Sequence, residues 1–144
     1  MALENPMPLT LDTPRAYEIG GINDLSVAAD VQIFEGSAVG IVAANGLARP
    51  LAAGDLFVGF ADRGVDNRIG AAAAARVRLR EVGKVELPVT ALAITDIGKP
   101  VYASDSGTFL LTAAGNSLIG HVHRFVRTGV GIVKFTAQAV PVAA

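Results

Sequence analysis

The segment Arg76-Val77-Arg78-Leu79-Arg80 alternates strictly between charge and apolar bulk, and this period of two constrains the fold more than any other feature of the chain. Successive side chains of a β-strand leave opposite faces, so Val77 and Leu79 should point to a core while the three arginines point to water. Val85, Leu87 and Val89 repeat the alternation after a turn expected near Val82-Gly83, which predicts an antiparallel pair with one solvated face. Short apolar runs at 30–34, 38–43, 56–60, 100–102, 108–112, 117–126 and 130–135 are each closed by glycine or another turn residue, and read as further strands. Asn45-Gly46 predicts a hairpin with a type I′ turn, whose two central residues take φ > 0. Arg127-Thr128-Gly129 predicts another hairpin, joining the last two strands. Ala71 to Ala75 favours helix by propensity, yet an isolated helix needs about 12–15 residues to be even marginal, so 62–75 is expected to be a long surface loop. Many short strands, glycine-rich turns, no βαβ rhythm and no internal repeat predict an all-β protein, a single-domain β-barrel or jelly-roll-like sandwich.

A chain of 144 residues is the size of one ordinary domain and is long enough to bury a core without staples. It has no cysteine, which removes disulfides, thiolate metal sites and a cysteine nucleophile together. The formal net charge is −1 and there is no tryptophan, so neither a phosphate-neutralising excess nor a base-stacking platform is available, and no nucleic-acid partner is expected. No run approaches the ~18 apolar residues of a membrane span, and the first residues lack the pattern of a signal peptide. The chain is therefore expected to be soluble, with no membrane partner.

Three of the seven prolines (Pro6, Pro8 and Pro14) fall in residues 1–14, which should form an extended arm, because each proline fixes φ and removes a donor. The β domain is placed at 15–138 and a short tail at 139–144. Leu3, Met7, Leu9 and Leu11 make the arm too apolar for a purely solvated tail, and they are candidate contacts to a neighbouring subunit.

Few constellations could carry chemistry. His121 and His123 sit at i and i+2 of an expected strand, a spacing that cupin-like metal sites use. The chain has no third histidine, and no Asp or Glu lies between Arg124 and Lys134, so the pair reads as polar residues on an outer strand face and no metal or other cofactor is expected. Ser104, Asp105 and His121 can be written as a triad, but no Gly-x-Ser-x-Gly elbow surrounds any serine. Gly129-Val130-Gly131 and the glycines at 36 and 40 precede no helix, and read as turn and bulge residues rather than a phosphate loop. The Arg76, Arg78, Arg80 row is the densest basic feature and reads first as a solvated face, then as a contact to a protein partner, and last as a contact to a strand of nucleic acid. No catalytic residue is assigned.

The run Thr95-Asp96-Ile97-Gly98-Lys99-Pro100-Val101-Tyr102-Ala103-Ser104-Asp105, followed by Thr108-Phe109-Leu110-Leu111-Thr112 and Ile119-Gly120-His121-Val122, resembles the capsid cement (head decoration) proteins of tailed phages. The resemblance extends through Phe34-Glu35-Gly36-Ser37-Ala38-Val39-Gly40, Ala48-Arg49-Pro50-Leu51, Leu56-Phe57-Val58-Gly59-Phe60-Ala61 and the segment 77–89, and so covers roughly residues 17–135. The alanine run at 71–75 departs from the pattern. Within the run, Asp96-Ile97-Gly98 and Asp105-Ser106-Gly107 are expected turns, the second setting Val101-Tyr102 against Phe109-Leu110 as a hairpin at a barrel edge. The resemblance implies a structural virion protein, not an enzyme, made in the host cytoplasm and bound to the outer capsid surface. Its implied partners are the major capsid protein and copies of itself. The other readings are another structural or receptor-binding module of the virion, or a cupin-like metal-binding protein using His121 and His123.

Overall fold

The computed structural model describes residues 10–12 and 20–140. Its strands are Ile22–Ser26 (β1), Val31–Ile33 (β2), Ala38–Ile41 (β3), Ala48–Pro50 (β4), Leu56–Ala61 (β5) and Val65–Asn67 (β6). They continue as Arg76–Arg80 (β7), Val82–Pro88 (β8), Pro100–Ala103 (β9), Phe109–Leu110 (β10), Ser117–Arg127 (β11) and Val130–Thr136 (β12). A single 3-10 turn, Ile94–Asp96, is the one helical element among the described residues. No helix there is long and apolar enough to cross a membrane.

Ten strands form two five-stranded antiparallel sheets, ordered β1-β7-β5-β3-β4 and β10-β9-β11-β12-β8, and β2 pairs with β6 as a separate ribbon. The protein is thus all-β, and of the two architectures expected it takes the sandwich; among the described residues the sheets do not close into a barrel. One apolar cluster lies between the sheets, where Phe57 and Phe60 of the first meet Val101, Ile119, Val122, Val133 and Phe135 of the second. A second cluster covers the other face of the first sheet, where Val39, Val58, Val77 and Leu79 pack with Ile33 of the ribbon. Strand β5 is covered on both faces, which is why Leu56-Phe57-Val58-Gly59-Phe60-Ala61 reads as an unbroken apolar run instead of an alternating one.

Phe57 and Phe60 are three residues apart, a spacing that would put them on opposite faces of a regular strand. They share the inter-sheet cluster because the β3–β5 register slips between Val39↔Gly59 and Gly40↔Phe57, leaving Val58 as the extra residue of a bulge. Gly59 supplies the backbone for it with φ of 136°, and a Cβ there would press on the Arg80 carbonyl oxygen of β7. The bulge gathers an aromatic cluster. Phe60 meets Phe135 edge-on at 4.8 Å and Phe57 at 5.3 Å, and lies 6.0 Å from Phe109.

Three sequence expectations are corrected. The alternations at 76–80 and 82–89 are real strands, but they are not paired with each other. β7 lies between β1 and β5, whereas β8 pairs with β12 in the opposite sheet. One residue, Glu81, separates them, too few for a hairpin loop, so the chain changes sheets there. The Glu81 N–H donates to Gly21 O (2.9 Å) beside the first sheet, and its carbonyl accepts from Ala137 N–H (2.6 Å) beside the second. The alternations therefore serve different cores, Val77 and Leu79 in the ribbon-side cluster, Leu87 and Val89 between the sheets.

Asn45-Gly46 does sit in a hairpin, joining β3 to β4, but Gly46 alone of the two has positive φ, 72°. The loop is longer than two residues: Val42 N–H donates to Leu47 O, and Gly46 N–H donates to Val42 O at 2.7 Å. The stretch 62–75 is not a plain loop, since it contains β6. Its anchor is the buried Asn67, whose Nδ2 donates to Ala28 O (2.9 Å) and Ala71 O (3.1 Å). The remaining turns match expectation. β9 and β10 pair as a hairpin through Phe109↔Ala103 and Leu110↔Tyr102, and β11 and β12 are joined across Thr128-Gly129.

Candidate functional site

Each sheet presents one cationic surface. On the first, the alternation of β7 sends Arg76, Arg78 and Arg80 to the exposed side, while Val77 and Leu79 are buried. Arg80 lies opposite Phe60 and therefore shares the face that looks toward the second sheet, in a part of the first sheet that the sandwich leaves open. Asp62 receives two of these arginines, with Arg80 Nε donating to its Oδ1 (2.7 Å) and Arg78 Nε 3.5 Å from Oδ2. Arg76 reaches the Asp24 carbonyl at 3.4 Å. A recess of about 300 Å³ is lined by Asp24, Arg63, Arg76 and Arg78, among others. Three arginines, Arg63, Arg76 and Arg78, thus line the recess with Asp24 as its one acidic residue. Asp62 balances part of the row, whereas Asp66 binds Arg68, which draws its carboxyl down to about 2.

The second surface is the outer face of the second sheet. His121 of β11 lies opposite Lys134 of β12, and Lys134 lies opposite Lys84 of β8, so three cation-forming side chains stand in a row across three strands. A bulge between Val122 and Arg124 places His123 beside Arg124 at the end of this row. All five residues are exposed. Slight desolvation and the surrounding cations (Lys84 first, then Arg124, Lys134 and His121) hold the His123 imidazole below its ordinary value. Glu86 is the carboxylate nearby in the pattern, two residues from Lys84 and opposite Ile132.

Sequence reasoning named Arg76, Arg78 and Arg80, and the structure brings them together. It found His121 and His123 as outward residues, but not Lys84, Arg124 and Lys134 beside them. Those five come from three strands, and nothing short of the strand register makes them neighbours. No three His, Cys, Asp or Glu side chains converge as a metal site among the described residues. The written triad is not assembled as a catalytic group. Asp105 is committed to its own turn, accepting from Gly107 N–H (2.9 Å), Thr108 N–H (2.7 Å) and Thr108 Oγ1 (3.0 Å). Leu3, Met7 and Leu9 lie outside the described residues; Leu11 is described and is 80% exposed.

Compared with protein-family models, curated proteins and solved structures, the chain matches none.

Proposed function

We propose that this protein is a capsid cement protein, which binds the outside of a tailed-phage shell and stabilises it by bridging major capsid subunits. What supports the reading is the ordered residue series that resembles that family. Its segments at 34–40, 48–51 and 56–61 supply β3, β4 and β5, and those at 95–105, 108–112 and 119–122 supply the 3-10 turn, β9, β10 and part of β11. The turns implied by the series are in place, with Gly98 at φ 90° and Asp105 closing the β9–β10 turn. A rigid two-sheet body with charged, open faces suits a protein whose task is surface contact. On a symmetric lattice, modest individual contacts sum through repetition.

The arginine row is the first surface assigned to the shell. Shells of the phage that encodes this protein, prepared without it, should melt at a higher temperature once the protein is added. The triple variant Arg76→Ala/Arg78→Ala/Arg80→Ala should bind them about tenfold or more weakly, which corresponds to about 1.4 kcal/mol. Exposed ion pairs are worth about 0–1 kcal/mol each, so the variant itself should stay folded. Shell melting that is indifferent to the wild-type protein contradicts the function; equal binding by the variant contradicts the assignment of this face.

A further inference from the structure

We infer that the outer face of the second sheet, formed by Lys84, His121, His123, Arg124 and Lys134, docks a carboxylate-rich protein surface. On the function proposed above, on which this identification of the partner rests, that surface belongs to a shell subunit. Bridging requires contact at two places, and the arginine recess and this face belong to different sheets.

The face is costly for an isolated fold. Like charges directly opposite each other across antiparallel strands are destabilising, and Lys134 stands opposite Lys84 with His121 on its other side. Five of the described cations are paired, Arg49 with Asp55, Arg68 with Asp66, Lys99 with Asp96, and Arg78 and Arg80 with Asp62, whereas Arg63, Arg76 and Arg127 have no described carboxylate within 4 Å. Among the described residues Lys84, Arg124 and Lys134 make no ion pair within 4 Å. A row that weakens the monomer, and that an outside anion would relieve, is a surface built for an acidic partner.

The chemistry of the face favours protein over nucleic acid. Half-buried Ile132 lies between Arg124 and Glu86, and Leu118 of β11, on the same face as His121, is 40% exposed. Apolar residues among the cations suit a protein contact with a dry centre and a charged rim. Strand-tracking nucleic-acid surfaces instead use several exposed aromatic platforms beside their cations, whereas the one tyrosine on this face, Tyr102 opposite Leu118, is half-buried.

Lys134→Glu separates binding from folding. It places a carboxylate opposite Lys84, so the melting temperature of the variant should be unchanged or higher. Binding of the full-length protein to immobilised poly-L-glutamate at about 10 mM salt, where screening reaches about 30 Å, should fall tenfold or more in this variant. Binding to shells prepared without the protein should fall in parallel. Wild-type affinity of the variant for both probes overturns the inference. So does a variant that loses affinity for a DNA duplex alone, which would mark a nucleic-acid face. A wild-type protein that binds poly-L-glutamate through Lys134 but ignores the shells sinks the cement reading and leaves this face as an acidic-protein dock of another assembly.

Discussion

Replacing Phe60 with alanine is expected to destabilise the protein by about 3–5 kcal/mol, the range for aromatic truncation in a packed core. Phe60 is 5% exposed and sits at the centre of the aromatic cluster, against Phe57, Phe109 and Phe135. Its loss removes transfer free energy and leaves a cavity between the sheets. It also deletes two edge-to-face contacts, and such pairs add about 0.5–1.5 kcal/mol each beyond their buried area. For a domain of this size, a change of 1 kcal/mol moves the melting temperature by about 2–4 °C, so the midpoint should fall by roughly 10 °C. Urea unfolding should show a lower midpoint at unchanged slope. A loss under 1 kcal/mol would mean that the sheets are not closed over Phe60 as described.

Gly59→Ala should be comparably severe although it adds one methyl group. The residue has φ of 136°, a conformation that side chains rarely adopt, and the new Cβ would meet the Arg80 carbonyl oxygen at the β5–β7 pairing. Backbone strain of about 1–3 kcal/mol and overpacking of about 1–3 kcal/mol act together there. Relief requires flattening the bulge, which would turn either Phe57 or Phe60 out of the inter-sheet cluster. Thermal unfolding read by circular dichroism measures the effect. A variant as stable as the parent would show that the bulge is not what places both rings in one core.

The two substitutions mark how far the sequence could be read. Period-two alternation located β7 and β8 without any structure, because each has one solvated face, and an apolar run after a turn located β12. Local turn chemistry located the β9–β10 and β11–β12 hairpins, since Asp105 and Gly129 act within a few residues of themselves. Pairing was less legible. The 76–89 stretch looks like a hairpin because both halves alternate, and only the single intervening residue, Glu81, argues against it. β1, with the sequence Ile22-Asn23-Asp24-Leu25-Ser26, carries no clean period because its residues are mostly half-buried. The bulges in β5 and β11 break the period where the side chains matter most, which hid the shared face of Phe57 and Phe60. The same limit applied to the surfaces. Three arginines on one strand announce themselves, whereas Lys84, His121 and Lys134 become one row only through the register of three strands.

The charge arrangement links fold to function. The change of sheet at Glu81 makes β7 and β8 consecutive in sequence yet members of opposite sheets, so Arg80 and Lys84 are carried onto the two different surfaces. One short segment thus feeds both of the surfaces assigned to contacts under the proposed function.

Co-sedimentation of the purified protein with expanded shells of the phage proposed to encode it, prepared without it, tests the central claim most directly. The account predicts saturable binding at a fixed ratio to the major capsid protein, weakened by salt and by both the arginine and the Lys134 variants. Protein that stays in the supernatant at every shell concentration, before and after expansion, would contradict it.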